Sequence, residues 1–214
     1  PEQAAAARAL AGGAAEVVAA GFAEPPERQL AVAALALARA QREVEAGHDA
    51  LLVLDSLPAL VRARARAEAP SGRWAAPGLD AAALLPAKRL LAAARRCAEG
   101  GSLTVLATLG TGSDSPFDTA LQREFAPLSQ VDLALEPELQ RGGAAAPFDV
   151  LRTRTRPEDD GRPGQLAQQF AAARAAAQHD AAAAHTRVSA WLARAVGGDA
   201  ALPELVAALA GPRG

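Results

Sequence analysis

The sequence contains no tyrosine, no methionine and one cysteine, and aromatic residues make up only 3% of its 214 positions. A lone cysteine, Cys97, excludes an internal disulfide framework and suits a reducing compartment. Its place in a helical stretch makes it a small core or groove residue rather than a nucleophile. There is no excess of positive charge: the formal net charge is −2. A free-standing nucleic-acid binder usually carries a basic surplus, so any such binding here needs a local patch or a ring of subunits. No run approaches the roughly 18 consecutive apolar residues that mark a membrane span, which argues against a membrane protein. No secretory leader opens the chain. The absence of Met, with Pro1 first, reads as a fragment of a longer product.

What is present is a hydrophobic half, much of it alanine, with Arg far outnumbering Lys. Leu and Val must therefore build most of the core. Residues 2–11 have helical composition and stop at Gly12-Gly13. The run Glu16-Val17-Val18 predicts a short strand within 14–22. Pro25-Pro26-Glu27 then opens a long helix that runs to about Ala46 and closes at Gly47. Ala50–Leu54 and Leu103–Ala107 are short runs apolar on both faces, which predicts central parallel strands buried on both sides. Between them the pattern gives a short helix over 57–67, a Pro/Gly-rich loop over 69–79 and a longer helix over 81–98, making a βαβ crossover. A helix ending near 125, possible strands at 131–135 and 147–154, and a helical stretch from Gly164 complete the reading.

Asp55 and Ser56 stand where the first apolar strand ends. In open α/β sheets, ligands bind at the carboxyl ends of strands, and a carboxylate there can hold Mg²⁺ directly or through water. The competing reading is an Asp that caps the helix starting near Leu57, and the residues alone leave the two even. Gly110-Thr111-Gly112-Ser113 follows the second strand: either a plain loop or a turn that lets backbone approach a ligand. Arg152, Arg154 and Arg156 alternate and would share one strand face, as a solvated edge or as an arginine finger. His48, His179 and His185 read as surface residues, without metal-ligand spacing. There is no Gly-x-x-x-x-Gly-Lys-[Ser/Thr] phosphate loop.

Several stretches together resemble one family, the Rho-type hexameric RecA-like helicases of bacterial transcription termination. Glu24-Pro25-x-x-Arg28, Leu52-Val53-Leu54-Asp55-Ser56, Pro70-Ser71-Gly72-Arg73 and Gly78-Leu79-Asp80-Ala81 are similar to family words, in family order. So are Lys88-Arg89-Leu90-Leu91-Ala92-Ala93-Ala94-Arg95, Glu99-Gly100-Gly101-Ser102-Leu103-Thr104 and Asp149-x-x-Arg152-x-x-Thr155-Arg156. The resemblance implies an α/β, RecA-like P-loop NTPase core: a mostly parallel sheet flanked by helices, without its phosphate-loop portion. Residues 1–160 would be that partial core from the Walker B strand onward, and 161–214 a helical C-terminal part of the same domain.

The resemblance further implies ATP and Mg²⁺ as cofactors, with Asp55 and Arg156 catalytic and Asp55, Ser56, Arg152 and Arg156 at the nucleotide. Ser71, Gly72 and Arg73 in one loop and Thr111, Gly112 and Ser113 in another would grip RNA. The parent would be a cytoplasmic, ring-shaped homo-hexamer that engages RNA and RNA polymerase as an ATP-dependent translocase. Three departures stand against this. Leu57-Pro58-Ala59 replaces Ile-Thr-Arg, Asp114 or Pro116 stands where the second loop carries a lysine, and Glu136-Pro137-Glu138 replaces a basic stretch. They leave open an alternative, a diverged paralogue that keeps the scaffold as an oligomeric interaction module without motor activity.

Overall fold

A computed structural model describes residues 9, 15–98, 100–110, 115–143, 147–156, 182–186 and 188–189. The chain divides into two compact units, Pro1–Ser129 and Gln130–Gly214.

The first unit begins its regular structure with α1 (Pro26–Glu45), which carries Pro in its first turn and Glu27 against the positive helix end. Gly47 ends it in the left-handed region, at φ +88°. Strand β1 (Asp49–Leu54) leads to α2 (Leu57–Ala67), and a short antiparallel hairpin follows, β2 (Trp74–Ala76) and β3 (Leu79–Asp80). A 3₁₀ turn (Ala81–Leu84) runs into α3 (Leu85–Ala92). Then come β4 (Arg95–Arg96), β5 (Ser102–Ala107) and α4 (Pro116–Phe125).

β1 and β5 pair in parallel from Asp49–Ser102 to Leu54–Ala107, as the βαβ pattern predicts. The sheet is nevertheless mixed, because β4 adds antiparallel to β5. The helix expected to 98 ends at Ala92 for that reason. Arg95 and Arg96 turn back onto Leu103 and Ser102, and the Cys97 N–H donates to the Gly101 carbonyl at 3.0 Å. Cys97 therefore sits in a hairpin turn, not in a helix.

Leu57, Leu60, Val61, Leu79, Leu84, Leu90, Leu121 and Phe125 form the core, with Leu52, Leu54 and Val105 packed against it. That covers one face of the parallel pair. Leu51, Val53 and Leu106 on the other face are 63%, 61% and 56% exposed, so burial on both sides does not hold among the described residues. The strand expected over 14–22 is also absent from residues 15–22. Side chains hold this stretch in place of a ladder: Glu16 pairs with Arg39 at 2.8 Å, and Gln29 Nε2 donates to the carbonyls of Gly21 and Glu24.

In the second unit, β6 (Val131–Asp132) pairs antiparallel with β7 (Arg154–Thr155), and an isolated bridge joins Leu135 to Phe148. The two predicted strands thus form only at their far ends and at one bridge, with α5 (Pro137–Arg141) between them. Residues 182–186 and 188–189 are helical. His185 is buried there, edge-on to Phe148 with ring centroids 5.1 Å apart and Nε2 3.3 Å from the Ser189 hydroxyl. This corrects its reading as a surface residue; His48 is on the surface beside Glu43, and His179 lies outside the described residues. The helix expected over 2–11 and most of the stretch from Gly164 also lie outside them.

Among the described residues, no helix is long and apolar enough to cross a membrane.

Candidate nucleotide and nucleic-acid site

The parallel register puts the ends of β1 and β5 side by side, so Asp55 and Thr108 leave the sheet together. The Thr108 hydroxyl donates to Asp55 Oδ1 at 2.7 Å. Backbone bonds close the same corner: Thr108 N–H to the Leu54 carbonyl and Leu57 N–H to the Thr108 carbonyl, each 3.0 Å. The Asp55–Ser56 peptide is cis. Ser56 caps α2, its hydroxyl accepting from the Ala59 N–H at 3.3 Å. The helix therefore has its cap without Asp55, whose carboxylate is exposed and bound to Thr108. Pro58, one of the departures from the family words, occupies the first turn of α2, where its missing N–H costs nothing.

The strand end thus offers one oriented carboxylate and two hydroxyls. Among the described residues no group of three or more His, Cys, Asp or Glu side chains could hold a metal ion. Mg²⁺ usually keeps several waters and takes one or two carboxylates plus substrate phosphates, so Asp55 fits that ion and would not hold it alone.

The first candidate RNA-gripping loop is built around a buried acid. Asp80 accepts from the Ser71 N–H and the Ala82 N–H at 2.7 Å each, and from the Ser71 hydroxyl at 3.0 Å. The Arg73 N–H donates to the Ser71 hydroxyl at 3.3 Å. Burial pushes the Asp80 carboxyl up, but the hydrogen bonds from Ala82, Ser71 and Gly72 outweigh it and hold it below its ordinary value of 3.8. Gly72 takes φ +80°, and the Ala81 N–H donates to the Arg73 carbonyl at 2.7 Å. Ser71, Gly72 and Arg73 are exposed on this fastened turn. The other three candidates, Thr111, Gly112 and Ser113, lie outside the described residues.

Arg152, Arg154 and Arg156 belong to the second unit. They do not share one strand face: Arg152 sits in a turn, Arg154 in β7 opposite Asp132, and Arg156 just past β7. Arg152 lies 3.7 Å from Glu136 and 4.0 Å from Asp149. The Asp149 carboxylate is buried and accepts from the N–H groups of Leu151 and Arg152, fixing that turn. Arg156 is exposed, its N–H donating to the Gln130 carbonyl at 2.8 Å.

Three partners of the candidate residues, Thr108, Asp80 and Glu136, are not singled out as site residues by the sequence. Thr108 was recoverable, because it ends the second apolar run as Asp55 ends the first. Asp80 lies in one of the family-like words and Glu136 in a departure from them, but neither place says that the one fastens Ser71 or that the other faces Arg152.

No family model matches the chain. Curated proteins do. The transcription termination factor Rho of Mycobacterium tuberculosis is 40% identical over 144 residues, covering 67% of this chain and 24% of its own length. Over that stretch the chain is similar to Rho. Rho of Bacillus subtilis is 38% identical over 152 residues, covering 71% of this chain and 35% of its own. Rho of Thermotoga maritima is 38% identical over 143 residues, covering 67% and 34%. The chain thus spans between about a quarter and a third of the length of these Rho proteins.

Proposed function

We propose that this chain is part of an ATP-dependent RNA translocase acting in transcription termination, as a segment of a RecA-like P-loop NTPase core. The observation that carries this reading is the strand end: a Rho-like stretch that finishes on an exposed Asp55, oriented by Thr108 and released from capping duty by Ser56. In this reading residues 1–160 are the partial core and 161–214 its helical continuation; the boundary between them lies outside the described residues.

Asp55 would hold Mg²⁺ through water beside bound ATP. The ion would supply neutralising charge for the phosphates. Ser56 and Arg152 would line the nucleotide, and Arg156 would reach the γ-phosphate of ATP bound to a neighbouring subunit in a ring hexamer. Ser71, Gly72, Arg73, Thr111, Gly112 and Ser113 would contact the RNA backbone. Since the net charge is −2, RNA affinity would come from the convergence of subunits in a ring rather than from one basic face. RNA polymerase would be the partner of the assembled protein, in the cytoplasm.

The test is RNA-stimulated ATP hydrolysis by the full-length protein, wild type against Arg156→Ala. An arginine finger contributes about 10³-fold or more to turnover, so the variant should hydrolyse ATP at near-background rates while still binding it. Unchanged hydrolysis in Arg156→Ala would remove that residue from the site.

A further inference from the structure

The hairpin that follows Arg73 carries an aromatic side chain that its own packing does not use. Leu79, in β3, is 2% exposed and belongs to the core, and Ala76, in β2, packs against that core. These two residues anchor the hairpin. Trp74, at the start of β2, is 59% exposed and is not part of that cluster. A chain with two tryptophans in 214 residues therefore presents one of them to solvent, beside the exposed Arg73.

The backbone beneath it is fastened by hydrogen bonds. Trp74 pairs across the hairpin with Asp80. Asp80 in turn ties down Ser71 and the start of the 3₁₀ turn, and the Arg73 carbonyl accepts from Ala81. An indole held on such a base loses little conformational freedom when something stacks on it, which is what makes preorganised aromatic contacts effective. Single-stranded nucleic acid is bound by this combination, an aromatic face for a base and a neighbouring cation for phosphate.

We propose that Trp74 is a base-stacking residue for single-stranded RNA, with Arg73 supplying the adjacent phosphate contact. This rests on the RNA reading of the Ser71–Arg73 loop and adds to it a residue that contacts bases rather than backbone. Stacking on a base face predicts tolerance of sequence and a requirement for the base itself.

The experiment uses the full-length protein carrying Trp191→Phe, so that Trp74 is the one tryptophan this chain contributes, with oligouridylate and an abasic ribose-phosphate oligomer of equal length as probes. Oligouridylate should quench the emission assigned to Trp74 by its loss in Trp74→Ala, and the abasic oligomer should not. Trp74→Ala should weaken oligouridylate binding by about 5- to 100-fold and leave abasic binding unchanged, while Trp74→Phe keeps most of the affinity. Arg73→Ala should weaken both probes alike and lower the salt dependence by about one ion. Equal loss of both probes in Trp74→Ala, or an unchanged affinity for oligouridylate, overturns the stacking role and leaves the RNA reading intact. A change of assembly state in Trp74→Ala, with RNA affinity per assembled ring preserved, makes Trp74 a protein-interface residue and overturns the proposal. Failure of the wild type to bind either probe overturns the RNA reading and the inference together.

Discussion

At the residue scale, the account turns on the division of labour between Asp55 and Ser56. The residues alone left Asp55 even between ligand and cap, because Asp and Ser are both good N-caps and two of them in succession do not say which one turns inward. Side-chain hydrogen bonds decide it: the Ser56 hydroxyl accepts from the Ala59 N–H, and the Asp55 carboxylate accepts from the Thr108 hydroxyl. Asp55→Asn should therefore leave the thermal unfolding midpoint of the full-length protein nearly unchanged while lowering ATP hydrolysis by about 10- to 100-fold, the usual loss when a carboxylate that orients a metal's waters is neutralised. A variant that unfolds instead would return Asp55 to a structural role. Asp80 is the opposite case, a carboxylate whose work is structural. Its folded-state value is lowered, so its contribution is fully present above the ordinary value of 3.8 and is lost as the pH falls through the lowered one. The midpoint difference between wild type and Asp80→Asn should hold steady above about pH 5 and shrink in stronger acid. A difference that does not vary with pH would mean that the charge of Asp80 is not what fastens the Ser71 loop.

At the element scale, the parallel pair and the first two helices were legible because their patterns are strong. α2 follows the expected range of 57–67, and β1 and β5 fall on the two apolar runs. What the pattern hid were elements made by pairing. Arg95-Arg96 has no strand composition and becomes β4 because Gly100 and Gly101, at φ +108° and +78°, fold it back on β5. Trp74–Ala76 and Leu79–Asp80 look like a Pro/Gly-rich loop and pair across Pro77-Gly78. Conversely, Glu16-Val17-Val18 has strand composition without forming one, since side-chain contacts to α1 occupy the segment. Gly101 offers a direct check. A β-carbon there would lie 2.7 Å from the carbonyl oxygens of both Val44 and His48, at a positive φ. Gly101→Ala should cost more than about 1 kcal/mol of stability, read as a lowered denaturation midpoint. Gly100→Ala meets no neighbouring atom within 4 Å and should suffer from backbone strain alone, so a smaller loss at Gly101 than at Gly100 would contradict the packing described here.

At the scale of the molecule, the family words were readable in order along the chain, and the identities of 38–40% over 143–152 residues agree with them. The partners of the candidate arginines were not readable. Glu136 departs from a basic family stretch and stands 3.7 Å from Arg152, a pairing between residues 16 positions apart that no local pattern encodes. The exposed face of Leu51, Val53 and Leu106 shows the same limit, since two-sided apolar composition says that a strand suits burial without saying what covers it. The central claim, an RNA-driven ATPase, is tested most directly by steady-state ATP hydrolysis of the full-length protein with and without single-stranded RNA. The account predicts hydrolysis that depends on RNA and disappears in Arg156→Ala; an ATPase rate indifferent to RNA, or no hydrolysis in the wild type under either condition, would contradict it.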